Sequence, residues 1–273
     1  MIVLAELESK EARLRSVLRS LERVVVAFSG GVDSALVLKI ATDELGENAF
    51  GVTGRSESLA GSELDGATGF AAGIGARHDV LDTHEVSDPS YAANPANRCY
   101  FCKKELYGKL RDLADEREAQ YIVDGFNLDD EGDWRPGRKA AREFGVRSPL
   151  AEAGFRKSDV RALARKLGLE VWDKPALACL SSRFPYGTPI TLELLRQVDA
   201  AETAVRAAGI RICRVRHHGD VARIEVPSED VARLAEPGLR ERIAAGVKAA
   251  GYRYVALDLG GYVPGNLNAA LDG

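Results

Sequence analysis

The chain has 273 residues and contains no apolar run near the roughly 18 residues that a membrane helix needs. It carries no secretory leader pattern, since the opening stretch Met1 to Arg15 turns acidic and amphipathic within a few residues. It has no excess of one charge. The 37 basic and 41 acidic side chains leave a net charge of −4. That balance argues against broad nucleic-acid binding, and with 45% hydrophobic residues it argues against disorder. There are no repeats and no low-complexity segments. A cytoplasmic globular protein with no membrane or nucleic-acid partner is expected. Its length suits one large domain, or a medium domain with a small one. Cysteine is also scarce: Cys99, Cys102, Cys179 and Cys213. Four could form two disulfides in a secreted scaffold. Without a leader, metal binding or catalysis is the better use of some of them.

What is present is an alternation of element types. Leu7, Leu14, Val17, Leu18 and Leu21 recur mostly at helical spacing. Val24 to Phe28 is a short β-branched run, read as a strand buried on both faces. A helix over 34–45, a strand at 50–53, a helix over 64–74, a strand at 79–81, a helix over 103–114 and a strand at 121–123 follow. Such alternation predicts an α/β fold, a parallel sheet with helices on both faces. Ser158 reads as the N-cap of a helix ending before Gly168. Pro185, Gly187 and Pro189 mark a boundary, dividing 1–187 from 188–273. Beyond it, a helix over 192–208, strands at 212–217 and 221–226, a helix opening at Ser228 and a strand at 252–257 predict a small α+β domain.

The most informative segment is Ser29-Gly30-Gly31-Val32-Asp33-Ser34, between the first strand and its helix. Glycines allow close approach of the backbone to an anion, and free N–H groups at a helix start bind phosphate. Ser29 and Ser34 add hydroxyl donors. Asp33 would repel bare phosphate, so it makes most sense beside Mg2+. The alternative is an ordinary tight turn. The segment has no Gly-Lys-Ser/Thr and no G-x-G-x-x-G, so neither the Walker loop nor the dinucleotide fingerprint applies. It resembles the PP-loop of the N-type ATP pyrophosphatases, which cleave ATP between the α and β phosphates. In such folds adenine is received at the end of the second strand, here Gly51-Val52-Thr53. Gly125 to Asp130 follows the fourth strand, where ligands bind in open parallel sheets. The acidic residues there could bind Mg2+ or merely cap the next helix.

Cys99 and Cys102 form a C-x-x-C pair before a helix, and packed cysteines or a redox pair would be ordinary readings. Cys179 stands in a polar, Pro-bearing segment, Trp172 to Tyr186, with Lys174 and Arg183 nearby to favour a thiolate. Cys213 shares a strand face with Val215 and reads as a packed residue. The opposite face carries Arg214, Arg216 and His218, either a solvated edge or an anion clamp.

Taken together, Ser29–Ser34, Arg98–Lys104, Gly125–Asp130, Trp172–Tyr186 and Arg214–His218 resemble the LarE family of ATP-dependent sacrificial sulfur transferases over the whole length. The resemblance implies adenylation of pyridinium-3,5-biscarboxylic acid mononucleotide, with ATP bound by Ser29, Gly30, Gly31, Val32, Asp33, Ser34, Thr53 and Gly125. It implies a catalytic cysteine at Cys179 and substrate phosphate and carboxylate binding by Arg183, Glu202, Arg214 and Arg216. It also implies a homo-oligomer, a hexamer, in nickel-pincer nucleotide cofactor biosynthesis. In single-cysteine members the protein sulfur is lost and dehydroalanine remains. Here Cys99 and Cys102 accompany Cys179, which resembles the branch whose three thiolates hold a [4Fe–4S] cluster. Zinc is a poorer fit, because it offers no route for sulfur. By the same resemblance, 1–187 is a PP-loop ATP pyrophosphatase domain with the cysteine site, and 188–273 serves substrate binding and oligomerisation. A tRNA thiolase, an amidotransferase synthetase subunit and a non-catalytic nucleotide-binding module are the competing readings.

Overall fold

A computed structural model describes residues 2–132, 136–175 and 178–263. Ala176 and Leu177, inside the Trp172–Tyr186 segment, and the C-terminal stretch 264–273 lie outside the described residues. The chain divides into two compact units. The first comprises Met1–Glu85 and Asn97–Leu177, the second Val86–Ala96 and Ala178–Gly273. The sequence-based boundary at 187 follows the Pro/Gly cluster. The division by packing falls ten residues earlier and takes in an excursion of the chain. Backbone bonds explain the excursion: Ile190 N donates to Ala92 O at 2.8 Å and Gly187 N to Asn94 O at 3.0 Å.

In the first unit, strands β1 (Val24–Ala27), β2 (Ala49–Arg55), β3 (Arg77–Asp82) and β4 (Tyr121–Val123) form one parallel sheet in the order β3-β2-β1-β4. Helices α1 (Ile2–Arg19), α2 (Val32–Leu45), α3 (Gly61–Gly73), α5 (Arg98–Glu116), α6 (Gly137–Glu143), α7 (Pro149–Glu152) and α8 (Lys157–Lys166) surround it, while the short α4 (Pro89–Ala92) lies in the excursion. Alternation along β1 explains the two layers of helices. Val24 and Val26 pack into a core with Leu14, Leu18, Leu36 and Leu163, whereas Val25 packs with Ile122, Tyr107 and Leu110. Both faces of β1 are therefore dry, as its unbroken apolar run predicts.

The second unit holds α9 (Leu192–Ala207), α10 (Ser228–Leu234) and α11 (Pro237–Ala249) with a three-stranded sheet. Its strands β5 (Arg214–His218), β6 (Val221–Glu225) and β7 (Tyr254–Leu257) lie in sequence order, β5–β6 antiparallel and β6–β7 parallel. Cys213 and Val215 are buried together in its core, as their shared face predicts. One expectation fails. Ser158 lies inside α8, and the N-cap is Arg156, whose N–H donates to Asp159 Oδ2 at 2.9 Å. No described helix is long and apolar enough to cross a membrane.

Candidate active site

The turn from β1 to α2 follows from its residues. Gly30 has φ +73°, a conformation that L side chains rarely adopt, and a Cβ there would lie 3.1 Å from Ala67 Cβ on α3. The first helical bond runs from Ala35 N to Gly31 O at 2.9 Å, so the N–H groups of Val32, Asp33 and Ser34 precede the ladder. Ser34 Oγ is buried. It accepts from Ser29 N at 3.2 Å, lies 3.1 Å from Ser29 Oγ and donates to Gly31 O at 3.1 Å. Its side chain thus stiffens the loop, while Ser29 is exposed at the rim.

The loop after β4 closes on this turn. A Cβ on Gly125 would lie 2.6 Å from Ser34 N and 2.9 Å from the Asp33 carbonyl carbon, so only glycine fits. Next to it, buried Asn127 donates from Nδ2 to Asp33 Oδ1 at 3.2 Å and to Asp130 Oδ2 at 2.9 Å. Lys157 Nζ bonds and ion-pairs with Asp33 Oδ2. The Asp33 carboxylate, read from sequence as a magnesium ligand, is engaged by an amide and an ammonium. The acidic residues on both sides of Gly125 are used internally. Asp124 accepts from Ser148 Oγ at 2.7 Å and from Phe126 N at 3.2 Å, and Asp129 accepts from Lys157 N at 2.8 Å and pairs with Arg156.

Thr53 is buried at the carboxyl end of β2. Its Oγ1 donates to Phe28 O at 2.8 Å and lies 2.8 Å from His78 Nε2. A hydroxyl has one proton and a carbonyl none, so His78 Nε2 carries the hydrogen of the second bond. Burial holds the His78 pKa below its ordinary value. Lys174 Nζ donates to Gly30 O at 3.1 Å and pairs with Glu63 at 2.9 Å, which ties it to the turn between β1 and α2.

Cys99 and Cys102 lie in the first turn of α5, exposed and half-buried respectively. Cys179 is exposed in the second unit, at the start of a short 3₁₀ turn. Arg183 ends that turn and points inward. Its guanidinium donates to the carbonyls of Ala178 and Cys179 at 2.7 and 2.9 Å and grips Glu202 through Nε and Nη2 at 2.8 and 3.0 Å. The cations near Cys179 in sequence are thus bonded to backbone oxygens and carboxylates. Glu202 is 1% exposed and also accepts from Val215 N at 3.1 Å. Burial opposes its ionisation, yet the Arg183 bonds outweigh this and hold its carboxyl below the usual range.

Arg214 and Arg216 sit on β5 at 7% exposure each, so this face is not a solvated edge. Arg216 grips Glu225 at 2.7 and 2.9 Å and donates to Ser182 O at 2.7 Å. Arg214 donates to Cys213 O at 2.8 Å and lies over the Tyr262 ring, and burial, with Arg183 nearby, lowers its pKa. Burial pushes the Cys213 thiol up to about 12, which makes it an inert packed group. Among the described residues, no group of three or more His, Cys, Asp or Glu side chains is gathered to hold a metal.

Lys157 was not singled out by sequence reasoning, although a signal exists. It occupies the first position of α8, where the helix dipole disfavours a cation. Its attachment to Asp33 explains the placement.

No protein-family model matches the chain. Pyridinium-3,5-bisthiocarboxylic acid mononucleotide synthase of Lactiplantibacillus plantarum is 43% identical over 269 residues, 98% of this chain and 97% of that protein. The chain belongs to the LarE family. An uncharacterized protein of Synechocystis sp. is 47% identical over 97% of this chain and 99% of its own length. The tRNA-specific 2-thiouridylase MnmA of Xanthobacter autotrophicus is 34% identical over 196 residues, 56% of this chain and 49% of that protein. LarE and MnmA relatives are sulfur-transferring PP-loop enzymes, and this LarE-family chain is a sulfurtransferase of that class.

Proposed function

We propose that the chain uses ATP to insert sulfur into pyridinium-3,5-biscarboxylic acid mononucleotide, in nickel-pincer nucleotide cofactor biosynthesis. The observation that carries this is the Ser29–Ser34 turn, closed by Gly125, in a chain that aligns end to end with the Lactiplantibacillus synthase. A substrate carboxylate oxygen attacks the α-phosphorus of ATP, and pyrophosphate leaves with the α–β bridging electrons. The turn's N–H groups and Lys157 stabilise the charge that develops on pyrophosphate. Asp33 would hold the Mg2+ accompanying ATP, which would screen the same charge. The Cys179 thiolate then attacks the acyl carbon and AMP leaves. Removal of the Cys179 α-proton breaks its Cβ–S bond, leaving a thiocarboxylate on the product and dehydroalanine in the protein.

Arg183, Glu202, Arg214 and Arg216 are assigned to the nucleotide's phosphate and carboxylates by family resemblance. Their burial, with Arg183 bonded to Glu202 and Arg216 to Glu225, supports a rigid frame around that role. Cys99, Cys102 and Cys179 together would supply the three thiolates of a [4Fe–4S] cluster as another source of sulfur. Among the described residues no group of three or more such ligands is gathered. The same resemblance implies a homo-hexamer, which light scattering of the purified protein would test. The partial MnmA match favours a second reading, tRNA thiolation, which the net charge of −4 opposes. RNA binding that survives physiological salt would favour it.

Peptide mass spectrometry after one turnover tests the sulfur source. Loss of the elements of H₂S from the Cys179 peptide supports the sacrificial route. An unchanged Cys179 after several turnovers contradicts it. Iron uptake on anaerobic reconstitution, lost in Cys99→Ala, would support the cluster.

A further inference from the structure

A chain of hydrogen bonds reaches the turn between β1 and α2 from the edge of the sheet. It starts at His78, half-buried on the edge strand β3. His78 Nε2 donates to Thr53 Oγ1 on β2 at 2.8 Å, and Thr53 Oγ1 gives its single proton to Phe28 O at 2.8 Å. Phe28 O and Ser29 N belong to one planar peptide group, so the bond from Thr53 sets the direction of the Ser29 N–H. That N–H donates to Ser34 Oγ at 3.2 Å, and Ser34 Oγ donates in turn to Gly31 O at 3.1 Å. Every bond runs in the same sense, from β3 through β2 and the end of β1 to the start of α2. Hydrogen bonds aligned in this way polarise and strengthen one another.

Aromatic packing follows the same route. Phe28 is 2% exposed, and its ring meets His78 edge-on at 5.7 Å between centres and lies 5.8 Å from the Phe70 ring on α3. The Phe28 amide donates to Val52 O at 2.9 Å. The residue that leads into the turn is thus held by its ring, its N–H and its carbonyl. The Thr53 hydroxyl has no second proton to offer a nucleotide, so its donation acts on the turn. Backbone N–H groups hold a phosphate well only when they are aimed at it, and small losses of aim are costly.

We propose that His78 is a positioning residue for ATP, which fixes through Thr53 the peptide group that opens the turn between β1 and α2. The inference rests on the function proposed above for the ligand of that turn. Calorimetric titration of the full chain with ATP and Mg2+ tests it. Wild type should bind. His78→Leu, which fills the space without a donor, should weaken binding by about fivefold or more. His78→Gln, whose amide supplies a donor near the Nε2 position, should recover most of that loss. In a Thr53→Val background, His78→Leu should add little, because the chain of bonds is already broken. Equal ATP affinity in wild type and His78→Leu overturns the proposal. So does an equal loss in His78→Leu and His78→Gln, or a full additional loss in the Thr53→Val background. If Thr53→Val does not fold, the contrast between leucine and glutamine still decides. Failure of the functional reading looks different: the His78 variants rank in ATP affinity as stated, but ATP and pyridinium-3,5-biscarboxylic acid mononucleotide release no pyrophosphate. Absence of ATP binding to wild type contradicts both.

Discussion

Glu202 ties α9 to the turn that follows Cys179 and to β5. It accepts two bonds from Arg183, one from the Val215 amide and one from Arg206 at 3.2 Å, all with almost no exposure of its own. Removing its charge leaves the Arg183 guanidinium buried without its counter-ion. Glu202→Gln should lower the unfolding free energy by about 3 kcal/mol, read from urea denaturation of the full chain. Lys157 makes the opposite kind of prediction. Its side chain is part-exposed and its proposed role is electrostatic, so Lys157→Ala should leave the urea midpoint nearly unchanged. It should lower kcat/KM for ATP by about tenfold or more, measured as pyrophosphate release. The two residues also show what is legible at this scale. Ser29 to Ser34 can be read because all six residues are contiguous and their types jointly suit phosphate. Lys157 meets Asp33 across 124 positions, so no local pattern announces the pair. Arg214 and Arg216 were legible as a same-face pair, but their burial was not, because the carboxylates that neutralise the site arrive from α9 and β6.

At the scale of elements, the turn between β1 and α2 depends on two loops meeting without side chains between them. Gly125 is the closest approach, and an added methyl group would collide with the Ser34 amide at 2.6 Å. Gly125→Ala should push the β4 loop from the turn and reduce ATP-dependent pyrophosphate release by about a hundredfold, as expected for a displacement of about an ångström. Its stability should fall by about 1–3 kcal/mol in the same denaturation assay. Wild-type turnover in that variant would show that the two loops need not touch. The strands of the first unit were the easiest elements to read, because short β-branched runs bounded by polar turns have few other uses. Helix α11 was missed. Its buried Leu239, Ile243 and Val247 recur at intervals of four, but alanine and glycine between them dilute the periodic signal. The Ser158 cap was misplaced because Asp159, one residue on, supplies the acceptor instead.

The whole molecule should respond to acid through its histidines. Burial lowers the pKa values of His78, His217 and His218 from the ordinary 6.5. A histidine lowered in the fold binds fewer protons there than when unfolded. Its contribution to stability is therefore complete above 6.5 and is lost as pH falls below that value. The urea midpoint should fall between neutral pH and about pH 5.5, and less steeply in His217→Gln. The division into units was legible only in part. Pro185 and Gly187 mark a real turn, but the packing that assigns 86–96 and 178–187 to the second unit depends on hydrogen bonds between segments about ninety residues apart, such as Asn94 Nδ2 to Pro185 O at 2.8 Å. The account as a whole stands on one reaction. Full-chain protein should be incubated with ATP, Mg2+ and pyridinium-3,5-biscarboxylic acid mononucleotide, and pyrophosphate and the product mass followed together. The account predicts one pyrophosphate for each nucleotide product in which a sulfur atom has replaced a carboxylate oxygen. Release of ADP and phosphate, or pyrophosphate with no sulfur in the product, would contradict it.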